Sequence, residues 1–142
     1  MAAVGFFVTN HQTWAVSPRF RYAIVVGLAL AILLASVVDP GDGGRSTVFG
    51  IGITVYLHLL AYGAFAFTIG YARWSADRRT LLVAVAVATG YGALIELIQG
   101  TIPYRTMSAL DALLNAAGAV VGALVWRTVA SRVGVDREPT PL

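Results

Sequence analysis

No cysteine occurs among the 142 residues, which excludes disulfides, thiolate metal sites and a cysteine nucleophile. Lysine is missing as well: all ten basic side chains are arginine. Charge of either sign is scarce, at 12% of residues against about 25% in an ordinary soluble domain. Apolar residues make up 58% of the chain, so there is too little polar surface to keep it dissolved. The same balance excludes a disordered chain. The net charge of +3 and basic isoelectric point do not signal nucleic acid, because the arginines stand scattered at the ends of apolar runs rather than in a patch. The expected partner is a lipid bilayer.

Four apolar runs reach the roughly 20 residues that a bilayer-crossing helix needs: 18–38, 47–72, 79–99 and 108–131. Ser17-Pro18 starts the first, and the breaker cluster at 39–44 stops it. Ser46 or Thr47 caps the second; Asp77 leads into the third, which Gly100 and Pro103 close. The expected fold is all-α, a four-helix transmembrane bundle with antiparallel, mostly left-handed packing. It divides the chain into an interfacial segment at 1–17, a membrane domain at 18–132 and a disordered tail at 133–142. The apolar run at 2–8 is too short to span and lacks a positive leader, so it does not read as a signal peptide. Arg19, Arg21, Arg73, Arg78, Arg79, Arg127, Arg132 and Arg137 fall on one side of the bundle; only Arg45 and Arg105 fall on the other. The positive-inside rule then places both termini in the cytoplasm and the loops 39–46 and 100–107 outside, in a multi-pass protein of the cell membrane.

Polar residues inside such spans need a reason, because an ionisable group at a helix centre costs about 2.5–3.5 kcal/mol on insertion. The candidates are His58, Glu96, Gln99, Asp111 and Asn115, with Arg105 in the short outer loop. Their spacing gathers them by face. Ser108, Asp111, Asn115, Gly118 and Gly122 form one stripe on the fourth helix, and Val85, Thr89, Gly92, Glu96 and Gln99 form one on the third. Gly118-x-x-x-Gly122 is a helix-packing motif. Ser108 with Asp111 also fits a capping box, and an ion pair with Arg105 would account for Glu96. His58, counted from a helix start at Thr47, sits roughly 16 Å below the outer end, as the floor of an outward-facing pocket. Phe65, Phe67, Tyr71 and Trp74 read as an interfacial belt. One histidine with two acids matches no metal-binding spacing, so no metal set is expected from the sequence, and no cofactor is indicated.

Glu96-x-x-Gln99, Arg105, Ser108, Asp111, Asn115, Gly118 and Gly122, with His58, Tyr62 and Gly63 before them, resemble the core pattern of the VanZ-like membrane proteins. The resemblance covers roughly residues 48–122. It departs at Thr54 and Val55, where the family commonly carries an Asp-Lys pair ahead of the histidine. The family's namesake is associated with lowered susceptibility to the glycopeptide teicoplanin, so the resemblance implies a place in the cell envelope.

The preferred reading is a pocket for an anionic lipid or envelope head group. Arg105 clamps the anion, since its planar fork suits phosphate, and Gln99, Ser108 and Asn115 orient the ligand. If the head group is processed, Glu96 or His58 is the general base and Asp111 orients its partner. The same pocket without turnover would be a binding module. In a third reading the polar stripes dock another membrane protein or a second copy, as in an assembly subunit. Transport is less attractive, because no half-repeat or broken helix is visible.

Overall fold

A computed structural model describes residues 16–39, 41 and 46–135. The N-terminal segment and most of the tail, for which interfacial and disordered character are expected, lie outside the described residues. Four helices carry the fold: α1 (Pro18–Val37), α2 (Ile53–Arg73), α3 (Arg78–Gln99) and α4 (Ala109–Val133). Each is long and apolar enough to cross a membrane, and each presents exposed leucine, valine or isoleucine outward, as lipid-facing helices do.

Three of the four helix starts lie where the capping residues put them. Ser17 Oγ accepts the Phe20 N–H at 3.4 Å with Pro18 in the first turn, Asp77 Oδ1 accepts the Thr80 N–H at 2.6 Å, and Ser108 Oγ accepts the Asp111 N–H at 3.1 Å. The second start is different. Residues 47–52 form a hairpin, β1 (Thr47–Val48) against β2 (Ile51–Gly52), with Thr47 opposite Gly52 and Val48 opposite Ile51. Phe49 and Gly50 at its tip both have positive φ, 51° and 77°, as a two-residue type I′ turn requires. The β-branched residues that extend the apolar run at 47–51 are good strand formers, so α2 begins at Ile53 instead of Thr47.

Asp77 gives the fold a titratable contact outside the spans. The Thr80 backbone N–H, helped by the Ser75 hydroxyl, holds its carboxyl below the usual range. A lowered folded-state value means stability that is present above about pH 4 and lost as pH falls through the lowered value. Asp77→Ala should therefore lower the thermal midpoint at pH 7 and flatten its decline toward pH 3. A pH profile parallel to that of the wild type would rule out this contribution.

The core lies between α2, α3 and α4. Backbone meets backbone where Gly118 and Gly122 of α4 face Leu59 and Gly63 of α2. Small residues complete this contact, including Ala66, Ala119 and Ala123. The α1 helix lies outside that core, with Ile32 its one buried residue among those described. Polar contacts fasten it near its start and in mid-span. At one end Arg21 Nη1 donates to Tyr71 O at 3.3 Å and its guanidinium stacks 5.0 Å from the Trp74 ring. In mid-span Tyr91 Oη donates to Ala29 O at 2.7 Å.

The expected aromatic belt is arranged otherwise. Phe65 is buried in the core against Tyr91, and Phe67, Tyr71 and Trp74 converge on Trp126. Trp126 Nε1 in turn donates to Ser75 O at 2.8 Å. A buried indole needs both an apolar seat and a partner for its N–H, and the end of α2 and its turn into α3 supply both.

Candidate functional site

The polar residues gather at the end of the bundle that carries the 38–52 and 100–108 connections. Glu96 lies in the last turn of α3, Asp111 in the first turn of α4, and Asn115 one turn further in. Because α2 starts at Ile53, His58 is only about 7–8 Å along its helix at 1.5 Å per residue. That corrects the deeper position expected for it, and the shorter depth puts His58 level with the two acids.

The geometry is specific. His58 Nδ1 lies 2.7 Å from Asn115 Oδ1; with that amide oxygen as acceptor, Nδ1 carries the proton and Nε2 keeps its lone pair. Nε2 faces Asp111 Oδ2 at 3.9 Å. The ring also stacks in parallel with Tyr62 one turn on, centroids 6.4 Å apart. Asn115 has no exposed surface, and its side chain fits because α3 has glycine opposite it. A Cβ on Gly92 would lie 2.8 Å from Asn115 Nδ2 and 2.9 Å from the Tyr62 ring.

Glu96 is only 3% exposed. Its Oε2 accepts the Ser108 backbone N–H at 2.9 Å, while Oε1 has no hydrogen-bond partner. This resolves the Ser108–Asp111 pattern. In a full capping box the acid of α4 would reach back to the Ser108 N–H. Here Glu96 takes that donor from another helix, so the Asp111 carboxylate turns toward His58. Ligand atoms of His58, Glu96 and Asp111 all lie within 4.8 Å of one another.

Gln99 and Arg105 point elsewhere. Gln99 Nε2 donates to Ser36 O at 3.0 Å, and Arg105 Nη2 donates to Ala35 O at 3.1 Å and to Val38 O. Tyr104, which sequence reasoning passed over, donates its hydroxyl to Val37 O at 2.7 Å. Together they satisfy the last carbonyls of α1, which has no basic residue in its own final turn. The ion pair considered between Glu96 and Arg105 is replaced by these contacts and by the Ser108 N–H. No residue pattern within 35–38 advertises them, because their donors lie more than sixty positions away in the chain.

A cavity of about 390 Å³ opens between α1 and α2 beside this cluster. Ala31, Ile32, Leu57 and Ala61 give it apolar walls, while His58, Gln99 and Arg105 make one end polar. His58 is thus shared: one face lines the cavity, and its ring nitrogens reach Asn115 and Asp111.

Four apolar, bilayer-length helices, three of which bring together a histidine, two acids and a buried asparagine, define a multi-pass integral membrane protein. The VanZ/LLP1 family matches residues 6–130, and the chain belongs to that family. The VanZ-like resemblance read from the sequence is borne out at the level of the family by this match. Comparison with curated proteins gives no match, and comparison with solved structures gives none either.

Proposed function

We propose that this VanZ/LLP1 member recognises an anionic lipid or lipid-linked envelope head group in the cell membrane and processes it by hydrolysis or transfer. The observation that carries the reading is the meeting of His58, Glu96 and Asp111 from three different helices, next to a cavity with apolar walls and a polar end. An amphipathic ligand matches that division, with its chain along α1 and α2 and its head group toward His58. Glu96 Oε1 and His58 Nε2 are the candidate general bases; Asn115 orients the imidazole, and Asp111, 3.9 Å from Nε2, stabilises the imidazolium once it has taken a proton. Arg105 is among the residues lining the polar end, where its charge attracts the anion. The arginine distribution supports an outward-facing position for this end.

The docking alternative loses most of its surface. Asn115, Gly118 and Gly122 of one stripe and Gly92, Glu96 and Gln99 of the other are buried within the chain, so they are not presented to a partner protein.

Quantitative mass spectrometry of envelope lipids tests the proposal, using a deletion strain complemented with wild type or Glu96→Gln at matched membrane abundance. One lipid class should accumulate on deletion, return to normal with wild type and persist with Glu96→Gln. Identical profiles in all strains would exclude head-group processing.

A further inference from the structure

We propose that His58, Glu96 and Asp111 bind one divalent first-row transition cation, zinc or manganese, leaving a coordination position open on it. This inference deepens the proposed function, because it rests on the same cluster, but it requires no particular lipid.

Charge is the first argument. Two carboxylates approach within 4.8 Å at membrane depth, and one of them belongs to a residue that is almost wholly buried. Among the described residues neither pairs with an arginine, and Arg105 is turned to the carbonyls of α1. The one basic neighbour is a histidine, and a single imidazolium would balance only one of the two. A divalent cation between a neutral imidazole and two carboxylates balances both.

The second argument is the unpartnered oxygen. Glu96 Oε1 is buried and accepts no hydrogen bond, a state that is costly for a carboxylate without a cation. Its companion Oε2 is held by the Ser108 N–H, which fixes the carboxyl in place.

The third is how each ligand is oriented from behind. With Asn115 Oδ1 as acceptor, the neutral ring of His58 carries its proton on Nδ1 and turns Nε2 toward Asp111. Ser108 Oγ holds the Asp111 backbone N–H and leaves its carboxylate free. Metal-ligating histidines characteristically donate their other N–H to such an oxygen. Bonds of about 2.0–2.2 Å to zinc put tetrahedral ligand atoms about 3.4 Å apart, so the widest separation in the cluster has to contract by up to about 1.4 Å. The 3.9 Å from His58 to Asp111 is already close to that spacing.

One nitrogen and two oxygens suit zinc and manganese better than calcium or magnesium, which take all-oxygen shells. Three protein ligands with one position open is the pattern of catalytic zinc sites. The open position would receive water or a head-group oxygen. Asp111 and His58 side chains retain 27% and 19% exposure, which leaves the cation a route in.

The test uses the full, tag-free chain in lipid nanodiscs, stripped with a chelator and then dialysed against Zn²⁺ or Mn²⁺. Elemental mass spectrometry should find one ion per chain, above empty nanodiscs, with at least one of the two metals. His58→Gln, Glu96→Gln and Asp111→Asn should each weaken binding about 100-fold or more, and Asn115→Ala about 10–100-fold. Arg127→Gln, at the other end of α4, should bind like wild type. A readout independent of binding is the midpoint of metal-free protein. Metal-free Glu96→Gln should unfold at or above the wild-type temperature, because one of two repelling carboxylates is gone, and added metal should no longer raise it.

Should a variant fail to keep wild-type helicity, Co²⁺ added to wild type supplies the check. A visible d–d absorption abolished by Zn²⁺ supports the site, and a spectrum like that of free Co²⁺ overturns it. Absence of stoichiometric Zn²⁺ and Mn²⁺ also overturns the inference, as does unaltered affinity in all three folded ligand variants. A lipid change that depends on Glu96 but occurs without bound metal overturns the metal site and leaves head-group processing standing. Bound metal with unchanged lipid profiles does the reverse.

Discussion

Gly122→Ala is expected to lower the unfolding free energy by about 3 kcal/mol, the upper range for forcing atoms into a packed interior. A methyl at that position would fall onto the Gly63 carbonyl oxygen, with the Gly63 carbonyl carbon at 2.6 Å and Cα at 2.7 Å. All three are backbone atoms, so no rotamer change relieves the clash. The α2 and α4 helices must separate. Gly118→Ala meets the same obstacle in Leu59, whose oxygen would lie 2.5 Å from the new carbon. The matched controls are Gly27→Ala and Gly90→Ala, each in a helix interior with nothing within 4 Å of the added atom. Those two should be neutral or gain up to about 1 kcal/mol from helix propensity. Reversible unfolding in detergent measures all four. The site reports the same displacement, because Asn115 stands one turn from Gly118 and reaches across to α2. Separation of the helices should stretch the 2.7 Å contact between His58 and Asn115, so Gly122→Ala should also disturb the proposed head-group chemistry. Equal stability of Gly122→Ala and Gly27→Ala would refute the close approach.

The spans were legible because apolar length and capping residues point the same way at three helix starts. Ser17-Pro18, Asp77 and Ser108 each mark a boundary through a local hydrogen bond. The α2 start was not legible, since Thr47, Val48 and Ile51 serve equally well in an apolar helix and in a hairpin. That single boundary controlled the depth assigned to His58. The stripes of α3 and α4 identified Glu96, Asp111 and Asn115 as residues facing the interior, because helical periodicity is a local property. Periodicity does not say which groups bond across helices. The His58–Asn115 contact spans 57 positions, and the capture of the Ser108 N–H by Glu96 depends on how α3 meets α4. The His–Glu–Asp grouping escaped a search by spacing for the same reason. Each of its members comes from a different helix, so no fixed interval in the chain encodes it.

Arg105→Met should cost about 1–3 kcal/mol of stability, the range for charge-assisted hydrogen bonds partly replaced by water. Its Nη2 donates to Ala35 O and Val38 O at the negative end of the α1 dipole, where α1 supplies no cation of its own. The loss should be local. Because α1 is joined to the core through few buried residues, weakening its end should loosen it while α2, α3 and α4 stay packed. Hydrogen exchange should therefore rise in residues 34–38 and stay unchanged in the α2–α4 core. Tyr104→Phe, which removes one neutral bond to Val37 O, should show the same pattern at about 1 kcal/mol. These variants separate two uses of one guanidinium. A cap lowers stability in ligand-free protein, whereas an anion clamp affects lipid processing at unchanged stability. If Arg105 also clamps the proposed anion, Arg105→Met should do both and Tyr104→Phe only the first. Full stability and exchange protection in Arg105→Met would show that the α1 carbonyls do not depend on it. Arg105→Lys sharpens the comparison, since an ammonium keeps the charge but loses the planar guanidinium and its reach to the α1 carbonyls. It should recover part of the attraction for an anion, and less of the α1 anchorage.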